Sequence, residues 1–250
     1  MVYFIGAGPG DPELITVKGR RLIGEADIII YAGSLVNPRV LEGAKPEASI
    51  YNSASMTLPE VIEVMEKGAR EGKAVARVHT GDPSLYGAVR EQMAKLERLG
   101  IDYEVVPGVS SFLAAAAAVK REYTLPGVSQ TVILTRMEGR TPMPEGEGIL
   151  ELAGHQATMV IFLSVDQIEK LCRQLQEGGY DADTPAAVVY KASWEEERIV
   201  RGTLADLAIK VNAAGIRKTA LVMVGRFLGD SFELSRLYDE NFSHGYRKAK

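Results

Sequence analysis

The stretch Ala76-Arg-Val-His-Thr-Gly-Asp-Pro-Ser-Leu-Tyr-Gly87 joins a short apolar strand to a helix through a loop in which backbone, not side chain, can face a ligand. Residues 74–78 supply the strand. Asp82 reads as an N-cap whose carboxylate takes an unpaired helix N–H, and Pro83 as the first helical residue, where its missing N–H costs nothing. Leu85, Val89, Met93, Leu96 and Leu99 recur at three- and four-residue spacing. That predicts a helix directly after the loop, one face buried and Arg90, Glu91, Lys95 and Arg98 wet. Gly81, without a Cβ, lets the chain approach a small molecule closely. The carboxyl end of a strand in an open α/β sheet is where such folds bind ligands.

Outward from this loop, toward the N-terminus, the same strand-then-helix order repeats. Residues 2–5 are apolar and run into Gly6-Ala-Gly-Pro-Gly-Asp-Pro12, after which Thr16 opens a helix to residue 26. This loop departs from the dinucleotide-binding G-x-G-x-x-G pattern: Asp11 stands at the third glycine, Pro9 and Pro12 stiffen the turn, and no acid follows the strand at 27–31 to hold a ribose. Ordinary NAD binding is not expected. Asn37-Pro38 reads as a cap and first turn, residues 48–51 as a strand, and Thr57-Leu-Pro-Glu60 as a capping box opening a helix that Gly72 stops. A fifth strand at 103–106 closes on Pro107-Gly-Val-Ser-Ser111 before an alanine-rich helix at 112–120. Five such units imply a parallel sheet with helices on both faces. Two readings of Ala114–Ala118 stay open: a helix packed so closely that only methyl groups fit, or a small surface that leaves room for a bulky ligand.

Periodicity lapses over residues 121–130, which form the expected linker between an N-terminal α/β domain (1–120) and a C-terminal domain (131–230). The second half alternates strands at 131–135, 158–163, 186–190, 197–203 and 220–224 with helices at 165–177 and 204–214, an α+β pattern with mixed strand directions. The tail, 231–250, carries too many aromatics for a disordered segment and suits packing on a partner surface.

At 250 residues, 46% apolar and 25% charged, the chain has an ordinary globular composition, and a net charge of −4 argues against a general nucleic-acid-binding surface. Cys172, the one cysteine, sits on a helical pattern as a small core residue, so no disulfide or zinc site arises from it. No run is long enough to span a membrane and the start of the chain is a strand, so a cytoplasmic protein is the expectation. His155 and His244 have no motif around them, and Glu195-Glu196-Glu197 reads as a solvated run.

Several loops taken together resemble the tetrapyrrole (corrin/porphyrin) methylases. They are G-A-G-P-G-D-P (6–12), H-T-G-D-P-S-L-Y-G (79–87), P-G-V-S-S (107–111), Q-T-V-I-L-T-R-M-E-G-R-T-P (130–142), F-L-S (162–164) and V-V-Y-K-A-S-W (188–194). The likeness covers nearly all of residues 1–230 and is most specific in the 135–142 and 190–194 stretches. Within the family it leans to the branch that methylates C11 of precorrin-4 in cobalamin synthesis, and the tail is similar to members acting on the cobalt-containing substrate.

The resemblance implies a two-domain α/β enzyme, usually a homodimer, that binds S-adenosylmethionine in a cleft between the domains and needs no protein-bound metal. Family cofactor contacts carry over onto Pro9, Thr80, Gly81, Asp82, Ser110 and Ser111, and in the second half onto Leu163, Ser164, Ala187 and Ala220; Tyr86 and Gly87 line the same wall. Thr80 stands where the family often has glycine.

Methyl transfer from a sulfonium to a ring carbon is an in-line displacement that asks mainly for alignment. If a base is needed to take a ring proton, His79 has the suitable ordinary pKa, although a histidine at a strand end is equally a structural residue. Asp82 stands beside His79 as a candidate catalytic residue, and it also caps, contacts the cofactor, or does both. The substrate's carboxylates call for local positive charge, and Arg90, Arg136, Arg140 and Lys191 are the candidates, with surface charge as the competing reading of each. The alternatives are a methylase of this fold acting on another precorrin carbon or on a non-tetrapyrrole substrate, and a nucleotide-binding module without catalysis. Binding of NAD in place of S-adenosylhomocysteine would favour the last.

Overall fold

The computed structural model describes residues 1–249 and divides into two compact units. One comprises Met1–Ala114 and Lys191–Glu197, the other Ala115–Tyr190 and the chain from Arg198 onward.

The first unit contains β1 (Val2–Gly6), α1 (Val17–Glu25), β2 (Ile28–Tyr31), β3 (Ser49–Asn52), α2 (Leu58–Arg70), β4 (Val75–His79), α3 (Arg90–Arg98) and β5 (Tyr103–Val106). Its strands lie in the order β3-β2-β4-β1-β5, every pairing parallel. Because successive side chains point to opposite faces, Ile5, Ile29, Ala76 and Val78 pack with Leu22 and Ile23 of α1. Val2, Phe4, Ile28, Ile30 and Val75 pack on the other face with Val61 and Met65 of α2 and Leu96 of α3. The capping box forms at Thr57 and Glu60, and Asn37 accepts the Arg39 N–H ahead of a short 3-10 turn begun by Pro38.

One local expectation is overturned. The helix predicted directly after Pro83 begins instead at Arg90, and Asp82 does not cap it; Val89 occupies the N-cap position. The Asp82 carboxylate accepts the N–H groups of Ser84 and Gly108, each at 2.8 Å. An aspartate that satisfies its own backbone two residues on makes a turn. Residues 83–89 are accordingly a tight loop, with Tyr86 (φ 55°) and Ala88 (φ 48°) left-handed. The apolar spacing misleads because Leu85 belongs to that loop while Met93 and Leu96 continue the helix.

Helix α4 (Ser111–Val119) carries the chain into the second unit, which contains β6 (Val132–Arg136), α5 (Ile149–Ala153), β7 (Thr158–Phe162), α6 (Ile168–Glu177), β8 (Pro185–Tyr190), β9 (Arg198–Thr203), α7 (Leu207–Ala213) and β10 (Ala220–Val224). The sheet order is β6-β7-β10-β8-β9; β6 and β7 run parallel and the other pairings are antiparallel. Cys172 lies in this core beside Leu171 and Leu175, and burial pushes its thiol up to about 11. In α4, Ala114 and Ala115 are buried whereas Ala117 is exposed. The stretch expected to be a linker is packed. Tyr123 is buried against Phe227, with ring centroids 5.2 Å apart, and its carbonyl accepts the Thr158 hydroxyl at 3.0 Å.

The tail is tied on by an Arg121–Asp230 ion pair at 2.7 Å and by the Glu233 N–H on the Pro126 carbonyl. Beyond these, Arg247 gathers the carbonyls of Leu237, Tyr238, Asp239 and Phe242, while Phe232, Leu234, Tyr238 and Tyr246 are exposed.

Candidate functional site

The strand order dictates the centre of the first unit. The chain leaving β1 must pass the end of β4 to reach β2, and the chain leaving β4 must pass the end of β1 to reach β5. These two connections leave neighbouring strand ends toward one another. They meet as bare backbone: the Gly8 N–H donates to the Gly81 carbonyl at 3.2 Å and the Gly81 N–H to the Gly8 carbonyl at 2.8 Å. A methyl on Gly6 would sit 2.6 Å from both the Gly108 Cα and the Gly81 carbonyl oxygen. Gly8 (φ 78°) and Gly81 (φ 59°) also hold conformations that side chains resist. The Gly81 Cα faces Ser110, since a Cβ there would touch the Ser110 Cα at 3.5 Å and the Ser111 nitrogen at 3.6 Å. The sequence-predicted residues Thr80, Gly81, Asp82, Ser110 and Ser111 are therefore brought to one edge of the parallel sheet. Tyr86, 45% exposed, and Gly87 lie in the loop that follows.

Asp82 is the tie between the β4 and β5 loops. Burial acts to raise its pKa, but hydrogen bonds from the Ser84 hydroxyl and from the Gly108 and Ser84 N–H groups outweigh that and hold the carboxyl below its ordinary value. It stays ionised.

His79 is not placed as a base. It is 4% exposed, and burial, together with the nearby Arg77 guanidinium, pushes its pKa down to about 3. Its Nε2 is buried without a hydrogen-bond partner among the described residues. The imidazole is thus neutral and weakly basic, because a second positive charge beside Arg77 in a dry interior is costly. This burial and the neighbouring charge disfavour the proton-taking role expected of His79.

Pro9 is covered by its own unit. The Trp194 Nε1–H donates to the Pro9 carbonyl at 2.9 Å, the indole ring lies against the Gly10 Cα, and Ser193 Oγ accepts the Asp11 N–H at 3.0 Å. Arg39 and Glu195 form an ion pair at 2.6 Å beside the same strap, with the Glu195 side chain 83% exposed, as a solvated run implies. Lys191 and Ser193 are left-handed here, at φ 46° and 69°. The Lys191 ammonium lies 4.7 Å from the Trp194 ring centre and 3.0 Å from Glu196.

In the second unit, register brings the ends of four strands to one edge. Arg136 pairs with Phe162 and Ala220 with Tyr190, so Leu163, following β7, and Thr219, preceding β10, share that edge. Both are left-handed (φ 52° and 54°), and Leu163 is 64% exposed. Ser164 is buried, its hydroxyl donating to the Phe162 carbonyl and accepting the Met137 N–H at 2.8 Å. Ala187 lies further down β8, buried and paired with Met223. The Arg136 guanidinium donates to the carbonyls of Met137, Thr141 and Pro142, shaping its own loop, and Arg90 pairs with Glu97 at 3.1 Å. Arg140 is exposed on the same loop as Arg136 and makes no ion pair among the described residues.

Sequence reasoning missed the roles of Gly6, Gly108 and Trp194. For the glycines the available signal was the coincidence of three glycine-bearing loops, each after a strand; for Trp194 it was a place at the end of the 188–194 motif, which says nothing of the contact with Pro9.

Residues 1–208 match the family model of the tetrapyrrole (corrin/porphyrin) methylases. The chain is 60% identical over 249 residues to the cobalt-precorrin-4 C(11)-methyltransferase of Methanocaldococcus jannaschii, covering 99% of this chain and 96% of that one. A solved cobalt precorrin-4 methyltransferase, a cobalamin biosynthetic enzyme, is 50% identical with a TM-score of 0.89, covering 92% of this chain and 96% of that one. The uroporphyrin-III C-methyl transferase of Thermus thermophilus, solved in complex with S-adenyl homocysteine, is 31% identical with a TM-score of 0.75, covering 91% and 92%. With the glycine-packed strand ends in place and this likeness running nearly end to end, the chain belongs to the tetrapyrrole (corrin/porphyrin) methylases.

Proposed function

We propose that this chain is an S-adenosylmethionine-dependent methyltransferase that methylates C11 of cobalt-precorrin-4 in cobalamin synthesis. The observation that carries the reading is the 60% identity across 99% of the chain to a relative of that name. The strand-end loops of the first unit suit the donor. Gly81, Ser110 and Ser111 present little but backbone and small side chains, Asp82 is anionic, and burial keeps His79 uncharged, so no imidazolium opposes a sulfonium.

When bound, the donor supplies an electrophilic methyl group on a positively charged sulfur. The chain's own part is to hold and align. Fixing the reacting atoms in line at about 3–3.5 Å is worth an effective molarity of roughly 10⁵–10⁸ M, which needs no covalent participation by the protein. We assign donor contacts to Pro9, Thr80, Gly81, Asp82, Tyr86, Gly87, Ser110 and Ser111, and on the second unit to Leu163, Ser164, Ala187 and Ala220. Their support is the family resemblance of the motifs that contain them. No side-chain base is assigned, because His79 is too weakly basic and Asp82 is tied to Ser84 and Gly108. For the substrate's carboxylates Arg140 is retained; Arg90, Arg136 and Lys191 are each engaged by their own neighbours.

We further read the protein as a cytoplasmic homodimer. Family likeness supports the dimer. Among the described residues, no helix is long and apolar enough to cross a membrane, which supports the compartment.

The test is incubation with cobalt-precorrin-4 and carbon-13-methyl-labelled S-adenosylmethionine, followed by mass spectrometry and NMR assignment of the product. Label at C11 is the expected result; label on another ring carbon would move the assignment within the family. Because Trp194 lies on the first loop, a fluorescence change on adding S-adenosylhomocysteine gives an independent reading of donor binding.

A further inference from the structure

On the face of the first sheet that carries α2 and α3, β4 buries a guanidinium that has no carboxylate partner among the described residues. Arg77 is 6% exposed; its Nε donates to the Gln92 Oε1 at 3.0 Å and its Nη1 to the Ile30 carbonyl at 3.3 Å. An unpaired buried charge is costly and persists only where it does something a neutral group does not. Gln92, itself buried in α3, uses its other end: Nε2 donates to the Ala88 carbonyl at 3.0 Å. Ala88 is exposed and left-handed, two residues after the left-handed Tyr86. For non-glycine residues that backbone is intrinsically disfavoured, and Ala88 offers only a methyl with which to hold it by packing.

We propose that Arg77 and Gln92 are positioning residues that pin the Tyr86–Ala88 loop in its left-handed form, and so set the wall this loop contributes to donor binding. The cation does this through orientation. An amide can flip, exchanging its oxygen and nitrogen. With a guanidinium on one side only the oxygen can face it, which commits the NH₂ group to Ala88. A residue without a donor at position 77 would leave that orientation to the Ala88 carbonyl alone. The last step, from loop to donor, rests on the methyltransferase reading; the tether itself does not.

Gln92→Glu separates the two. The glutamate keeps an acceptor for Arg77 and gives the buried charge a counterion, but it cannot donate to Ala88. Thermal melting, amide hydrogen exchange and calorimetry with S-adenosylhomocysteine are read on both proteins. The expected result is a melting temperature no lower than wild type, exchange at residues 86–89 at least tenfold faster, and thioether affinity about tenfold weaker. Unchanged exchange in a folded Gln92→Glu protein would overturn the tether, and faster exchange with affinity within twofold would overturn its bearing on the donor. Failure of wild type to bind the thioether, with exchange still accelerated in the variant, would sink the methyltransferase reading and leave the tether standing. Should Gln92→Glu not fold, Gln92→Asn keeps the amide one methylene short of Ala88 and is expected to give the same acceleration; wild-type exchange in that variant overturns the proposal.

Discussion

At the innermost turns of their strand ends, the two units differ in the residues they use. At the edge of the parallel sheet the turns fall on glycine, with Gly8 and Gly81 left-handed and hydrogen-bonded to each other, and Gly6 against Gly108. At the edge of the mixed sheet the left-handed positions are Leu163 and Thr219, which keep their side chains. Convergent connections force main chain onto main chain in the first unit, and a Cβ has nowhere to go. In the second unit the antiparallel β10 separates β7 from β8, no such crowding arises, and Leu163 bears its strain while pointing an apolar side chain outward. Glycine marks where backbones collide. A strained residue with a large side chain, such as Leu163, is a candidate for a place where that side chain is wanted in spite of the strain.

That contrast can be broken by substitution. Gly6→Ala places a methyl 2.6 Å from three backbone atoms that cannot rotate away, so it is expected to cost about 3 kcal/mol or more, read by urea denaturation. A loss under 1 kcal/mol would show that the interlock yields.

The next effect is on pH dependence. His79 has a folded pKa near 3 against an ordinary 6.5, so below pH 6.5 the unfolded chain binds a proton that the folded chain refuses. Stability is expected to fall by up to a few kcal/mol as pH drops from 6.5 toward 3. His79→Gln, followed by melting temperature across that window, should flatten the slope relative to wild type. An unaltered slope would mean that His79 is protonated in the native protein.

Leu163→Gly is expected to act in the opposite sense to Gly6→Ala, raising stability by up to about 1 kcal/mol through relief of left-handed strain while weakening S-adenosylhomocysteine binding. Loss of stability, or unchanged affinity, would remove the side chain's claim to a role. Smallest is Asp82→Asn. The depressed carboxyl pKa contributes stability that is present above the unfolded value near 4 and lost as pH falls through the folded one. The gap between wild type and Asp82→Asn in melting temperature should therefore be present at pH 7 and close below pH 4; since Asp82 is only partly buried, a shift of a few degrees is expected.

Much of the first unit was legible because its signals are local. Strand runs such as Ile28–Tyr31, the Thr57–Glu60 box and the glycines that follow β1, β2, β4 and β5 act over a few residues, and the parallel five-stranded sheet follows from their order. The mixed character of the second sheet was legible in the same way. Opaque were the places where a residue's partner is distant in sequence. Asp82 carries every mark of an N-cap, yet its Oδ2 is taken by Gly108, 26 positions away. Arg77 reads as an ordinary charged residue in a strand until its neighbours Gln92 and Ile30 are known. Trp194 reads as part of a substrate motif until it is found on Pro9.

The sequence by itself determined most of the strands and helices, though neither the start of α3 nor the short α5, together with the parallel first sheet and, through its clustered motifs, the family to which the chain belongs. Hydrogen bonds and apolar spacing within a few residues suffice for the first two, and motif combinations for the third. Only the tertiary structure decided the protonation of His79, the duty of Asp82 and the occupation of Lys191 and Arg136. Those depend on burial and on charges brought close by folding, and neither the dielectric around a group nor the distance to its partner is written in the residues beside it.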